Sequence, residues 1–256
     1  MITMVERSYK SERFIIKNEG EKLIGEIFTP GNIKKPCPGV LVLHGFPGMP
    51  LIIYDLISAL IQEGYAALSF HYRGCWGSSG KYSYLGAIRD ARKALSILIR
   101  KEGIDRERIA TVGHSFGGLV AVNVSSGNKK VKTVAVLCPV ADIEKGFSKA
   151  RTRMVLKRGL PFVSDLRIEE ALVEWDELAN KYDPIHHVGK ISTQPFLLIH
   201  GNKDDIIPLS CSQALFERAK KPKRMVIVNG GDHLFSGKRK MVTKKTVDWF
   251  RNIFEN

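Results

Sequence analysis

The chain has 256 residues, 44% hydrophobic and 26% charged, enough apolar material for one large core, and a single domain carrying one insertion is expected. No apolar run nears the roughly 18 to 20 residues a bilayer span needs, and Lys10, Glu12, Arg13 and Lys17 break up any signal-like start, so an unexported, cytoplasmic protein without a membrane partner is expected. Cys37, Cys75, Cys138 and Cys211 lie far apart and off zinc spacing, which predicts reduced thiols and no metal, and the net charge of +14 lacks the interleaved aromatics of a base-stacking surface, which predicts a solvated basic exterior and no nucleic-acid partner.

Two strands with polar flanks come first, Arg13–Lys17 and Lys22–Thr29, around Asn18-Glu19-Gly20-Glu21, a pattern that predicts an antiparallel hairpin. Continuous apolar runs follow at Gly39–Leu43, Ala66–Phe70, Arg108–Val112, Thr133–Leu137, Phe196–His200 and Met225–Val228. Their lack of polar alternation is the mark of strands buried on both faces. Between them, 3.6-residue periodicity predicts helices over Ile52–Glu63, Gly86–Lys101, Phe116–Ser126, Ser210–Ala219 and Met241–Phe254. The fold class expected is α/β, a mostly parallel eight-stranded sheet with helices on both faces. The alternation lapses once, between Val140 and Val188, too long a stretch for a structureless loop in a compact domain. A helical cap inserted at about 141–187 is predicted, with helices over Ile143–Lys157 and Ile168–Lys181 parted at Gly159-Leu160-Pro161.

Residues able to do chemistry fall at the strand ends. After the first buried strand, the glycines of His44-Gly45-Phe46-Pro47-Gly48 let backbone approach a substrate, and the Phe46 N–H is a candidate oxyanion donor because Pro47 has none. Taken alone, the segment reads as a plain Gly/Pro loop. Gly113-His114-Ser115-Phe116-Gly117 is more specific: a G-x-S-x-G between a buried strand and an apolar helix. Such a turn strains the central residue, lifts its side chain above the sheet and leaves room only for glycine on either side. The plainer reading is a serine helix cap with incidental glycines. Phe116 opens the helix, so its N–H is the second candidate oxyanion donor.

A serine hydroxyl needs a base within reach. Of seven histidines, His44, His71 and His200 end strands, His114 is inside the turn and His186-His187 precede a strand. His233 differs, because the glycine-rich loop Asn229–Phe235 carries it over the carboxyl edge of the sheet after the last strand. The carboxylate that orients this base is expected at Asp204, with Asp205 next and Asp142 third, although an aspartate before a helix also serves simply to make the turn. In the insertion, Met154, Leu156 and Trp175 are candidate pocket walls against the alternative of ordinary helix packing. Glu169-Glu170 and Glu174 have the spacing of a solvated helix face, or of acids aimed at a substrate amine.

With oxyanion loop, serine, acid and histidine in this order, the sequence resembles the α/β-hydrolase superfamily over nearly its whole length. Within it, His71-Tyr72-Arg73-Gly74-Cys75-Trp76-Gly77-Ser78-Ser79-Gly80 and Asp90-Ala91-Arg92-Lys93-Ala94 resemble segments of feruloyl-esterase-like carboxylesterases and of the catalytic domains of prolyl-oligopeptidase-type acylaminoacyl peptidases. The resemblance implies a triad of Ser115, Asp204 and His233, oxyanion donors at Phe46 and Phe116, and an insertion capping the active site. It also implies a small-molecule acyl substrate and no cofactor. Such oligopeptidases carry an N-terminal propeller with no counterpart here, so a carboxylic ester is the expected substrate and an aminopeptidase-like or acylaminoacyl-peptidase-like activity the alternative. A serine nucleophile sets aside dehalogenases and epoxide hydrolases of the same fold, and non-catalytic relatives generally lose a triad member. The glycines of Arg73–Gly80 do not follow G-x-G-x-x-G and no G-K-[ST] occurs, which sets aside nucleotide binding. A homo-oligomer is compatible with the sequence.

Overall fold

The computed structural model describes residues 8–31, 36–191 and 194–255. Strands β1 (Tyr9–Asn18) and β2 (Glu21–Pro30) pair antiparallel, as the opening hairpin predicts. Their two-residue connection, Glu19-Gly20, has φ of 50° and 84°, the pair of positive values that matches a tight turn to the strands' twist. β2 lies antiparallel to β4 (Ala66–Phe70). From there β3 (Cys37–Leu43), β4, β5 (Ile104–His114), β6 (Val131–Leu137), β7 (Phe196–Gly201) and β8 (Lys223–Val228) run parallel, in the spatial order β1-β2-β4-β3-β5-β6-β7-β8. Every predicted strand is present, and the class is the α/β sheet expected.

The two-residue period of the strands divides the interior into two cores. Val40, Val42, Ala110, Val112, Ala135 and Leu137 face one side, against α1 (Leu51–Glu63) and α9 (Arg239–Phe254). Leu41, Leu43, Ile109, Val134, Val136 and Leu198 face the other, against α2 (Tyr84–Arg100) and α3 (Phe116–Ser125). Every residue of α3 is buried, which is why its sequence is apolar all round instead of striped.

Between β6 and β7 the chain forms α4 (Ile143–Gly146), α5 (Lys149–Gly159), α6 (Ile168–Lys181) and α7 (Pro184–His187), with no strand among the described residues. The single helix predicted over Ile143–Lys157 is two. Phe147 is extended, with φ of −135° and ψ of 106°, and its ring packs edge-on against Trp175 at 5.4 Å. Ser148 then caps a new helix, its hydroxyl accepting the Arg151 N–H at 3.2 Å. Gly146 ends the first helix and the Ser148 cap begins the second, while the apolar periodicity runs on through the break. Gly159-Leu160-Pro161 marks a short 3-10 turn at Leu160–Phe162, and α6 covers the residues predicted. α7 was not anticipated; Asp183 caps it from the Ile185 N–H, with Pro184 in the first turn. The last helix before β8 is α8 (Leu209–Arg218). Among the described residues no helix is long and apolar enough to cross a membrane.

Candidate active site

β5 ends at His114 and α3 begins at Phe116, so Ser115 alone makes the turn, with φ of 57° and ψ of −123°. The end of β6 and the residues after it hold it there: Ser115 N–H donates to the Leu137 carbonyl at 2.9 Å, and the Ser115 carbonyl accepts the Val140 N–H at 3.1 Å. A Cβ added at Gly113 would lie 2.0 Å from the Gly117 carbonyl oxygen, and one at Gly117 would lie 2.2 Å from that of Leu43. Both flanking glycines are therefore required by backbone contact. The loop after β3 lies against the serine, for a Cβ at Gly45 would come within 3.0 Å of Ser115 Cβ.

His233 reaches the same place from the loop after β8. Its Nδ1–H donates to Asp204 Oδ2 at 2.8 Å. Asp204 follows β7, its side chain fully buried, and its other oxygen accepts the N–H groups of Ile206 and Ile207, both at 2.8 Å. Burial pushes this carboxyl up, but the His233 hydrogen bond and charge, with help from Ile207 N–H and Cys138, outweigh it and hold the pKa at about 2. Asp204 therefore stays ionised beside the imidazole. Asp205, the next residue, is exposed and lines the cavity rim, while its backbone carbonyl accepts from Arg151. Asp142 is elsewhere, in a left-handed conformation with its N–H donated to Asp183.

Most other histidines have structural partners. His200 is buried between Ser212 Oγ at 2.7 Å and the Ile207 carbonyl at 3.1 Å, and His44 Nδ1–H donates to the Gly45 carbonyl at 2.6 Å. His114 has a task that sequence reasoning missed: its Nε2–H donates to the His233 carbonyl at 2.8 Å, with the two rings 4.8 Å apart. Burial, then repulsion from His233, lowers its pKa to about 3, so it stays a neutral donor that anchors the histidine loop.

Ser115, Phe116, Phe46 and His233 line one cavity of about 410 Å³. Its walls are largely aromatic and aliphatic, including Tyr84, Phe147, Phe162 and Trp175. Trp175 is thus on the pocket, and the other two candidate wall residues are not. Thr152, Val155 and Arg158 of α5 line the cavity at helical spacing. The same rotation places Leu156 fully buried in the core and Met154 outside, 41% exposed. The carboxylates of α6 are engaged: Glu169 with Arg153, Glu170 with Lys81, and Glu174 with Ser83 Oγ and Tyr84 N–H, both at 2.7 Å.

Cys138, Asp204 and His233 bring one ligand atom each within 4.8 Å. Two of the three are already joined by the 2.8 Å hydrogen bond from His233 Nδ1–H to Asp204, and burial raises the pKa of the Cys138 thiol.

Comparison with known proteins agrees with this architecture. The structure superposes on Est1E from Butyrivibrio proteoclasticus with a TM-score of 0.73 at 21% identity, covering 95% of this chain and 99% of that one. An uncharacterized protein of Mycobacterium tuberculosis, Rv2307c, is 30% identical over 223 residues, covering 86% of this chain and 71% of its own. The human acylamino-acid-releasing enzyme is 25% identical over 219 residues, covering 79% of this chain but only 29% of its own length. Residues 55–256, from α1 through the serine turn, Asp204 and His233, match the prolyl oligopeptidase family, and with the eight-stranded sheet and its strained serine already in place, the chain belongs to that family of serine hydrolases.

Proposed function

We propose that this protein hydrolyses carboxylic esters through an acyl-enzyme on Ser115. The observation that carries the reading is the 2.8 Å hydrogen bond to a buried, ionised Asp204 from His233, which lines the cavity that also holds the strained serine. Asp204 fixes the imidazole with its proton on Nδ1, which leaves Nε2 to take the serine proton as Oγ attacks the acyl carbon. The carbonyl oxygen gains negative charge, met by the Phe46 and Phe116 N–H groups and by the positive end of α3. Collapse of this intermediate, with the proton passed from His233 to the leaving oxygen, forms the ester of Ser115 and releases the alcohol. Water, deprotonated by the same imidazole, then reverses the sequence and frees the acid.

The apolar walls suit the acyl or alkyl part of a small ester. A peptidase reading is favoured by the family itself and by the name of the human relative. Against its aminopeptidase form stand the engaged acids of α6, since a peptidase that reads a free N-terminus needs carboxylates facing the substrate, whereas an acylated N-terminus makes no such demand. The deciding measurement is kcat/KM for p-nitrophenyl esters of graded chain length beside aminoacyl and N-acyl-aminoacyl anilides, with Ser115→Ala as control. The expected result is a preference for at least one short-chain ester over every anilide, and loss of turnover in the control on the order of a million-fold. An anilide that outperforms all esters would establish the peptidase reading in its place.

A further inference from the structure

Trp76 is 55% exposed, yet its backbone has φ of 45°, a left-handed conformation that a bulky residue keeps only where its surroundings hold it. A turn sets that backbone: Trp76 and Gly77, with φ of 45° and 89°, are its central residues, and the Ser78 N–H closes it on the Cys75 carbonyl at 2.9 Å. The turn presents the ring to its contacts. The indole Nε1–H donates to the Pro47 carbonyl at 3.1 Å, one residue beyond Phe46, the candidate oxyanion donor. One neighbour of the ring is Phe162, stacked at 5.9 Å and 17° on the tip of the insertion, and another is His71 at 6.4 Å and 29°. Pro47 and Phe162 both line the cavity, whereas Trp76 stands behind them. The approach to the oxyanion loop is close: a Cβ at Gly48 would lie 2.1 Å from Trp76 Nε1, so the indole would have to move to admit one. Backbone contacts beside the ring tie its own segment to the insertion tip, with a single bridge between Cys75 and Val163 and the Ser164 N–H donating to the Gly74 carbonyl at 2.7 Å.

We propose that Trp76 is a positioning residue: its N–H aims the oxyanion loop, and its ring face holds the insertion tip that forms one pocket wall. The two contacts act on different steps. The loop's donor matters most when charge has developed on the substrate oxygen, so it enters kcat; the wall touches the bound substrate throughout, so it enters KM. The proposal rests on the serine-esterase reading.

The test is steady-state kinetics, on the best ester, of Trp76→Phe, Phe162→Ala, Gly48→Ala, Trp76→Ala and the double variant Gly48→Ala/Trp76→Ala. Trp76→Phe keeps a stacking ring and loses the donor. It is expected to lower kcat about 10-fold with KM within about 2-fold, less than the 100-fold or more lost when an oxyanion donor is deleted outright, because the donor remains and only its aim is loosened. Phe162→Ala should raise KM several-fold with kcat within about 2-fold. Gly48→Ala should reproduce the kcat loss by pushing on the indole, and should cost nothing further once Trp76→Ala has removed the ring. A Trp76→Phe kcat within 2-fold of the parent, or a Gly48→Ala loss that persists in full without the indole, overturns the proposal. Thermal midpoints accompany each variant, and if Trp76→Phe does not fold, the Gly48 pair decides alone. Activity retained by Ser115→Ala would instead bring down the underlying serine reading, whereas an inactive Ser115→Ala beside a normal Trp76→Phe brings down only this one.

Discussion

Asp204 and Asp205 are adjacent in the chain and opposite in environment. The first is buried and accepts hydrogen bonds from His233, Ile206 and Ile207; the second stands exposed at the cavity rim. Asp204→Asn would remove the acceptor that selects the His233 tautomer and stabilises the imidazolium. A kcat loss on the order of 10⁴-fold is expected, by analogy with other triads. Asp205→Asn leaves that hydrogen bond untouched, so its kcat is expected within a few-fold of the parent. Measured side by side on one ester, the reverse ranking would move the role of acid to Asp205.

At the scale of elements, the decisive unit is the strand-to-helix turn from β5 to α3. Ser115 is held by hydrogen bonds to the end of β6 and beyond, and Gly117 packs on the backbone of Leu43, so the serine's position depends on three neighbouring strands. Gly117→Ala would set a methyl 2.2 Å from the Leu43 carbonyl oxygen, an obstacle with no rotamer to yield. Destabilisation above the ~1–3 kcal/mol usual for overpacking is expected, together with loss of activity. Gly189→Ala is the control: its added Cβ would meet nothing nearer than 3.8 Å, and its effect should fall within about 0.5 kcal/mol. Urea denaturation of the two variants checks the pair, and equal midpoints would refute the packing account. The insertion contributes by orientation: α5 shows the cavity one stripe, and α6 is fastened to the body through Glu174 on Ser83 and Tyr84.

For the molecule as a whole, buried neutral histidines govern the response to acid. Burial lowers the pKa of His44 to about 3, burial and repulsion from His233 lower that of His114 to about 3, and burial lowers those of His200 and His71 as well. In the unfolded chain these groups protonate near 6.5. Between about pH 6.5 and 3 the unfolded state therefore binds more protons than the folded one, and stability must fall as pH falls. Each such group contributes up to about 1.4 kcal/mol per pH unit within its window. The ionised Asp204 adds a loss of the same sign lower down, as pH falls from its unfolded value toward about 2. Urea midpoints recorded from pH 7 to 4.5 should drop steadily; a flat profile over that range would mean that the histidines are not buried neutral.

The sequence by itself determined the α/β class, the eight strands, the serine turn and the histidine loop. These follow from rules that act over a few residues: strands buried on both faces are continuously apolar, and a turn crowded by backbone admits only glycine beside the serine. Tertiary structure alone decided the rest. Asp204 and not Asp205 meets His233 because only its carboxylate points inward, and neighbouring residues in a turn do not announce which way each points. The predicted helix over Ile143–Lys157 breaks at Phe147, between Gly146 and the Ser148 cap, and the Phe147 ring packs on Trp175, a contact across 28 positions of sequence. Met154 and Leu156 leave the pocket because the rotation of α5 is set by what it packs against, not by its composition. His114 under His233, and Trp76 between Pro47 and Phe162, join segments far apart in the chain, where no local pattern operates and only the folded geometry brings donor to acceptor.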